Sequence, residues 1–255
     1  MQKNIIRNYC RFEFHSANYR IAAPDKKAVS SAIRRLRTHL EEYLNKNPTF
    51  RESLNPLPEL PQPAPECARR MHEASLHTGV GPMAAVAGTF AQMAVAMAKE
   101  ADGQKDDAEY IVENGGDIYA ELLRPLIIGL WVGRESVFQN LALRIEPEES
   151  PIAVCSSSSR MGHSLSMGSC DLVTVISENG SLADACATAV CNRIKSDETL
   201  QPAVEWGIKI KGVRGILALR KDKMAAAGQI PDLIRHGDPE LNSKVTRHED
   251  SSFSG

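Results

Sequence analysis

Asp184 and Thr188 stand four residues apart in Ser181-Leu182-Ala183-Asp184-Ala185-Cys186-Ala187-Thr188-Ala189. In a helix that spacing puts both side chains on one face, about one turn apart. Everything around them is small. A carboxylate and a hydroxyl set together in an alanine-rich helix either bind each other and a neighbouring backbone, or hold a hard, oxygen-seeking cation. Mg2+ suits such a pair when substrate phosphates and water complete its shell. Asp184 also lies near the helix start, where a carboxylate complements the helix dipole.

Three further segments could bind a phosphate. Gly79-Val80-Gly81-Pro82-Met83-Ala84 places two glycines and a proline before a helix, where free amides attract an anion. Its Gly-x-Gly-x-x-Ala spacing does not read as a dinucleotide fold, because residues 67–76 before it look helical rather than extended. A plain helix–helix connection is the alternative. Asn114-Gly115-Gly116-Asp117 sits between two strand-like runs and reads as a hairpin turn, although paired glycines also bring amides close to a ligand. Ser156 and Ser157 end a short strand and offer hydroxyls and amides, with Arg160 nearby to pair with an anion. His163 follows and is the nearby candidate for general acid or base. It could also serve Cys155 or a serine as a nucleophile's partner. His72 and His77 are five apart, which rules out the shared helix face of a zinc protease motif.

These residues need elements to position them. Arg11 to Phe14 and Tyr19 to Ala22 read as strands, and a helix runs from about Asp25 to Leu44 with apolar residues at helical spacing. Five prolines between Asn55 and Pro65 make a rigid connector. Glu66 to Leu76 and Met83 to Lys99 follow as helices, the second rich in small residues suited to close packing. Runs at 110–112, 118–122, 126–132 and 141–145 read as strands joined by short turns, which implies a mostly antiparallel sheet. Ile152 to Cys155 and Leu172 to Ser177 add two strands. Helices at 182–194 and 199–210 precede a last strand at 213–220. Residues 1–234 thus read as a single α+β domain, and the polar residues 235–255 as a disordered tail.

Composition narrows the function. Of 255 residues, 42% are apolar and 24% charged, and the formal net charge of −2 gives no attraction to nucleic acid or an anionic membrane. No window reaches the ~18 apolar residues of a membrane span. Six cysteines without a Cys-x-x-Cys pair, and an N-terminus without an apolar leader, point to a cytoplasmic chain with reduced thiols.

Several of these segments, in this order, resemble the ApbE superfamily of flavin transferases, which move FMN from FAD onto a protein threonine. Leu172-Val173-Thr174-Val175-Ile176-Ser177 followed by Ala183-Asp184-Ala185-Cys186-Ala187-Thr188-Ala189 resembles its C-terminal signature. Asn114 to Ile118 resembles its Gly-Gly-Asp/Asn-Ile turn, and Ile152 to Ser157 its Ile-Ala-Thr-Ser-Gly strand end. Met83 to Gly88 is similar to its Ala-Lys-Gly helix start without the lysine. His163 falls where the family has His-x-x-Asp-Pro-x-Thr-Gly, but Ser-Leu-Ser-Met-Gly follows it here. The whole chain resembles more closely a prokaryotic UPF family placed beside ApbE. The resemblance implies an ApbE-like α+β fold of the T-fold type, mostly antiparallel sheet with helices packed on one face. It implies Mg2+ on Asp184 and Thr188 with a backbone carbonyl from 85–87, and FAD or a related nucleotide at Gly115, Gly116 and Asp117. A homodimer is the assembly it suggests. Phosphoanhydride transfer or hydrolysis is the reaction implied. The alternative is a non-catalytic ligand-binding or assembly module that has kept the fold without the transferase chemistry.

Overall fold

A computed structural model describes residues 7–15, 17–103, 107–133, 136–159 and 169–235. The elements run β1 (Cys10–Phe14), β2 (Ala17–Ala22), α1 (Lys26–Lys46), α2 (Pro48–Glu52), α3 (Glu66–Thr78) and α4 (Val86–Ala101). They continue with β3 (Tyr110–Asn114), β4 (Asp117–Glu121), β5 (Leu126–Gly129), β6 (Leu141–Ile145), β7 (Ile152–Ser157) and β8 (Leu172–Ser177). After these come α5 (Gly180–Arg193), α6 (Leu200–Gly207), β9 (Val213–Arg220), β10 (Lys223–Gly228) and β11 (Asp232–Arg235).

Eight strands form one antiparallel sheet in the order β1-β2-β3-β4-β7-β8-β9-β10, and β11-β6-β5 form a second sheet of three. Alternation along each strand sends successive side chains to opposite faces. Tyr110, Val112, Tyr119, Cys155, Val173 and Val175 face the helices and share one core with α1, α3, α4, α5 and α6. Ile111, Ile118, Val154, Leu172 and Ile176 face the other way and pack on Leu126, Leu141, Leu143 and Ile145 of the small sheet. The fold is therefore the expected mostly antiparallel α+β arrangement with helices on one face, and the three-stranded sheet covers the other. No single helix among the described residues is long and apolar enough to cross a membrane.

Several expectations change in detail. Residues 213–220 are not the last strand. A two-residue turn at Lys221 and Asp222, with Lys221 at φ 55°, folds β10 back on β9, and β11 pairs with β6. The run expected at 126–132 stops at Gly129, and with β6 it leaves the main sheet to begin the small one. The last helix spans Leu200–Gly207 rather than 199–210. The expected tail, from residue 236 on, lies outside the described residues.

α5 positions the site. Asn179 caps it by accepting the Leu182 amide at 3.1 Å. Every residue from Gly180 to Cys191 is buried, because α5 lies between the sheet and the helices α3 and α4. A helix buried all round needs small side chains, which is why this one is so rich in alanine. Where α4 crosses it the backbones nearly touch. A Cβ on Gly88 would lie 2.2 Å from the Gly180 carbonyl oxygen, and one on Gly180 would lie 2.4 Å from the Gly88 oxygen. Thr89 also donates its hydroxyl proton to Ser181 Oγ across the crossing, at 2.7 Å.

Candidate functional site

The helix-facing side of the main sheet, beneath α5 and the start of α4, gathers the polar residues. Asn114 ends β3 and Asp117 begins β4, and they face each other across the turn. Gly115 and Gly116 take φ values of 63° and 109°, the left-handed conformations a two-residue hairpin requires. The turn thus explains both glycines by itself. It also delivers Asn114 and Asp117 to the helix side. Asn114 Nδ2 donates to the Ala87 carbonyl at 3.3 Å, tying the hairpin to the first turn of α4.

Asp184 reaches the same turn from above. Its Oδ2 accepts the Gly88 amide at 2.8 Å, so the carboxylate caps α4 from another helix. The Gly88–Gly180 contact makes this approach feasible. Asp117 Oδ1 accepts the Ser156 amide at 3.1 Å, and its carboxylate also takes a hydrogen bond from the Cys155 thiol. Asp117 is 8% exposed and Asp184 9%. Burial pushes Asp117 up to about 7 against the pull of those two donors. Burial likewise raises Asp184, then the charge of Asp117 raises it further, and the Gly88 and Ala87 amides only partly offset this. Cys155, fully buried with its sulfur 3.7 Å from the Gly180 carbonyl oxygen, is pushed up by burial and then by both acids. A thiol held this firmly protonated is a poor nucleophile.

Two hydroxyls complete the cluster. Thr188, one turn along α5 from Asp184, is 7% exposed. Ser157 is 5% exposed, and its Oγ is buried without a partner. Ser157 shares the helix-facing side of β7 with Cys155. Cys155 touches α5 at Gly180, and Ser159 just past the strand touches it at Cys191, with Ser159 Oγ 3.3 Å from Cys191 Sγ. Ser157 therefore faces the stretch of α5 between those points, which carries Asp184 and Thr188. Buried polar atoms normally find a partner, so the Ser157 hydroxyl, unpartnered and turned to the stretch that carries Asp184, marks a place for a ligand.

The other expected residues are placed as follows. Ser156 lends its amide to the cluster, but its hydroxyl lies 2.9 Å from Thr174 Oγ1 on the opposite face of the sheet, as strand alternation dictates. Gly79 ends α3 in the left-handed conformation at φ 76°, its amide bonded to Ser75 O. Gly81 lies where a Cβ would come within 1.8 Å of the Ser53 carbonyl oxygen, so close packing explains it. His163 lies outside the described residues. The pairing of Asp117 with Asp184 was not anticipated from the sequence, nor was the part played by Gly88. A glycine inside an otherwise alanine-rich helix was the available signal for the latter.

The donor set suits a hard cation. Carboxylate, hydroxyl and carbonyl oxygens dominate it, and Mg2+ or Mn2+ prefers such oxygens. Among the described residues no group of three His, Cys, Asp or Glu forms a self-sufficient metal cage. A cation here would draw further ligands from hydroxyls, backbone and a bound phosphate.

Comparison with known proteins places the chain in a family. A UPF0280 protein of Methanocella arvoryzae is 42% identical over 216 residues, covering 84% of this chain and 84% of its own length. The UPF0280 protein of Methanocaldococcus jannaschii is 36% identical over 214 residues, covering 82% and 84%. Among solved structures, the flavinyl transferase ApbE of Pseudomonas stutzeri in its apo form matches with a TM-score of 0.57 at 12% identity, over 87% of this chain and 94% of its own. The ApbE protein of Thermotoga maritima matches at 0.50 and 14% identity, over 94% and 100%. At such identities the likeness shows a shared fold. The family model described as AbpE bacteria matches residues 14–228, and the chain belongs to that family, a UPF family related to ApbE.

Proposed function

We infer that the cluster binds a flavin- or nucleotide-like phosphate ligand together with a divalent cation. The observation that carries this reading is the buried Ser157 hydroxyl, left without a partner on the strand face turned to the Asp184–Thr188 stretch of α5. Asp184 and Thr188 would hold the cation, with the Ala87 carbonyl beside them. Ser157, the Ser156 amide and the Asn114–Asp117 turn would face the ligand. Gly79 and Gly81, at the approach to α4, remain candidates for its phosphate. A bound Mg2+ supplies neutralisation of the negative charge on phosphate oxygens. The flavin component of the reading comes from the flavin transferases that share the fold. His163 is the residue to which the reading assigns proton transfer in any cleavage or transfer at a phosphoanhydride.

A second reading rests on a specific contact. Asp184 already accepts the Gly88 amide, so its carboxylate has a structural task without any cation. A binding or assembly module with no transferase chemistry is consistent with that.

Titrating FAD by fluorescence quenching, with Mg2+ and with chelator, tests the first reading. Binding is expected in the micromolar range, strengthened by Mg2+. No binding at ~100 μM, a free energy of roughly −5.5 kcal/mol, under either condition removes it. Single-turnover incubation of FAD with the protein and Mg2+ then separates the two. Release of FMN or AMP indicates an enzyme, and intact FAD a binder.

A further inference from the structure

Asp117 is a buried acid to which the cation reading, as framed on Asp184 and Thr188, gives no task beyond its turn. Its neighbours are unusual for an acid so placed. The charge of Glu113 acts on Asp117, and that of Asp117 on Asp184. Burying two carboxylates close together weighs against folding. The chain nonetheless holds them together through a continuous set of contacts. Asp117 faces Asn114 across the turn, Asn114 bonds Ala87, and Gly88 bonds Asp184. The Ser157 hydroxyl, buried without a partner on the side of β7 that faces α5, independently indicates that something with oxygen-seeking chemistry belongs there.

We propose that Asp117 is the second acidic ligand of the divalent cation, joining Asp184, with Ser157 and Thr188 supplying hydroxyl oxygens. This deepens the cation reading above and rests on it. It moves Asp117 from the ligand-facing turn to the cation. It also gives the Asn114–Ala87 bond a purpose, since that bond sets the height of the hairpin against α4. A hard cation such as Mg2+ or Mn2+ matches an all-oxygen set of this charge.

The test is direct Mn2+ binding to the full chain after chelator treatment, read from the free-ion EPR signal, with no flavin present. Wild type, Asp117→Asn, Asp184→Asn and Thr188→Val are compared. Asn keeps an oxygen to accept the Ser156 amide, so the hairpin should fold, and circular dichroism checks that it does. If that variant does not fold, Asp117→Ser takes its place. Wild type should bind Mn2+, and both Asp variants should bind it more than about tenfold more weakly, the scale on which even indirect partners of a metal act. Wild-type Mn2+ affinity in the Asp117 variant, with loss in Asp184→Asn, overturns this inference and leaves the cation reading standing. No Mn2+ binding by the wild type overturns both.

Discussion

The carboxylate of Asp184 accepts the Gly88 amide and also faces a second buried acid, so two substitutions there separate its roles. Asp184→Ala leaves a buried amide of the first turn of α4 without an acceptor, a loss of about 1–3 kcal/mol. Asp184→Asn keeps a carbonyl oxygen for that amide and removes the repulsion with Asp117. In chelator it should unfold in urea within about 1 kcal/mol of wild type while still losing Mn2+. Equal damage from both substitutions would mean the negative charge itself stabilises α4. The Asp184–Thr188 pair was legible in the sequence because a four-residue spacing is a local fact once the helix is known. Asp117 was not legible as its partner. Its Gly-Gly setting fully accounts for a hairpin, and its meeting with α5 depends on β4 lying beside β7 and on the depth at which α4 and α5 cross.

That depth is set by the two glycines. A methyl group at residue 88 would enter the carbonyl of Gly180 and press on Asp184 Cβ, 2.9 Å away. Backbone cannot yield as a side-chain tip can, so Gly88→Ala should push the helices apart. The expected cost is about 1–3 kcal/mol, measured by urea unfolding, together with weakened Mn2+ binding as the first turn of α4 lifts from Asp184. A Gly88→Ala protein as stable as wild type would show that the crossing is not close in solution. Elements were read from the sequence where their own pattern sufficed. The long helix at 26–46 has its apolar stripe and an Asp25 cap that accepts the Lys27 and Ala28 amides. The strands at 141–145 and 172–177 have their apolar, branched residues. β10 has neither, since Lys-Met-Ala-Ala-Ala-Gly has weak strand propensity. Pairing with β9 through the Lys221 turn is what makes it a strand. The departure of β5 and β6 into a second sheet was likewise hidden, because an antiparallel run looks the same whichever sheet it joins.

At the scale of the whole molecule, the three layers are closed at the end that holds residue 7 by one acid. Glu109 accepts from Arg7 at 2.8 Å, from Arg124 at 2.6 Å, and from the Leu123 and Arg124 amides at 3.2 and 3.1 Å. Arg7 in turn donates to the carbonyls of Arg124 and Pro125. The cluster joins the segment before β1, the approach to β3 and the link from β4 to β5, three stretches distant in sequence. Burial would raise Glu109, but the hydrogen bonds of Arg7 and Arg124 override it and hold the carboxyl at about 2. Its folded value therefore lies below the roughly 4.3 of an unfolded glutamate. The charged form favours the folded chain, so this contribution is complete above about pH 5 and is lost as the pH falls from about 4 towards 2. Glu109→Gln should lower the urea midpoint at pH 7 and leave it nearly that of wild type at pH 2. The gap between the two proteins should close across the same interval. A gap that persists unchanged to pH 2 would show that Glu109 stabilises the chain by packing rather than by its charge.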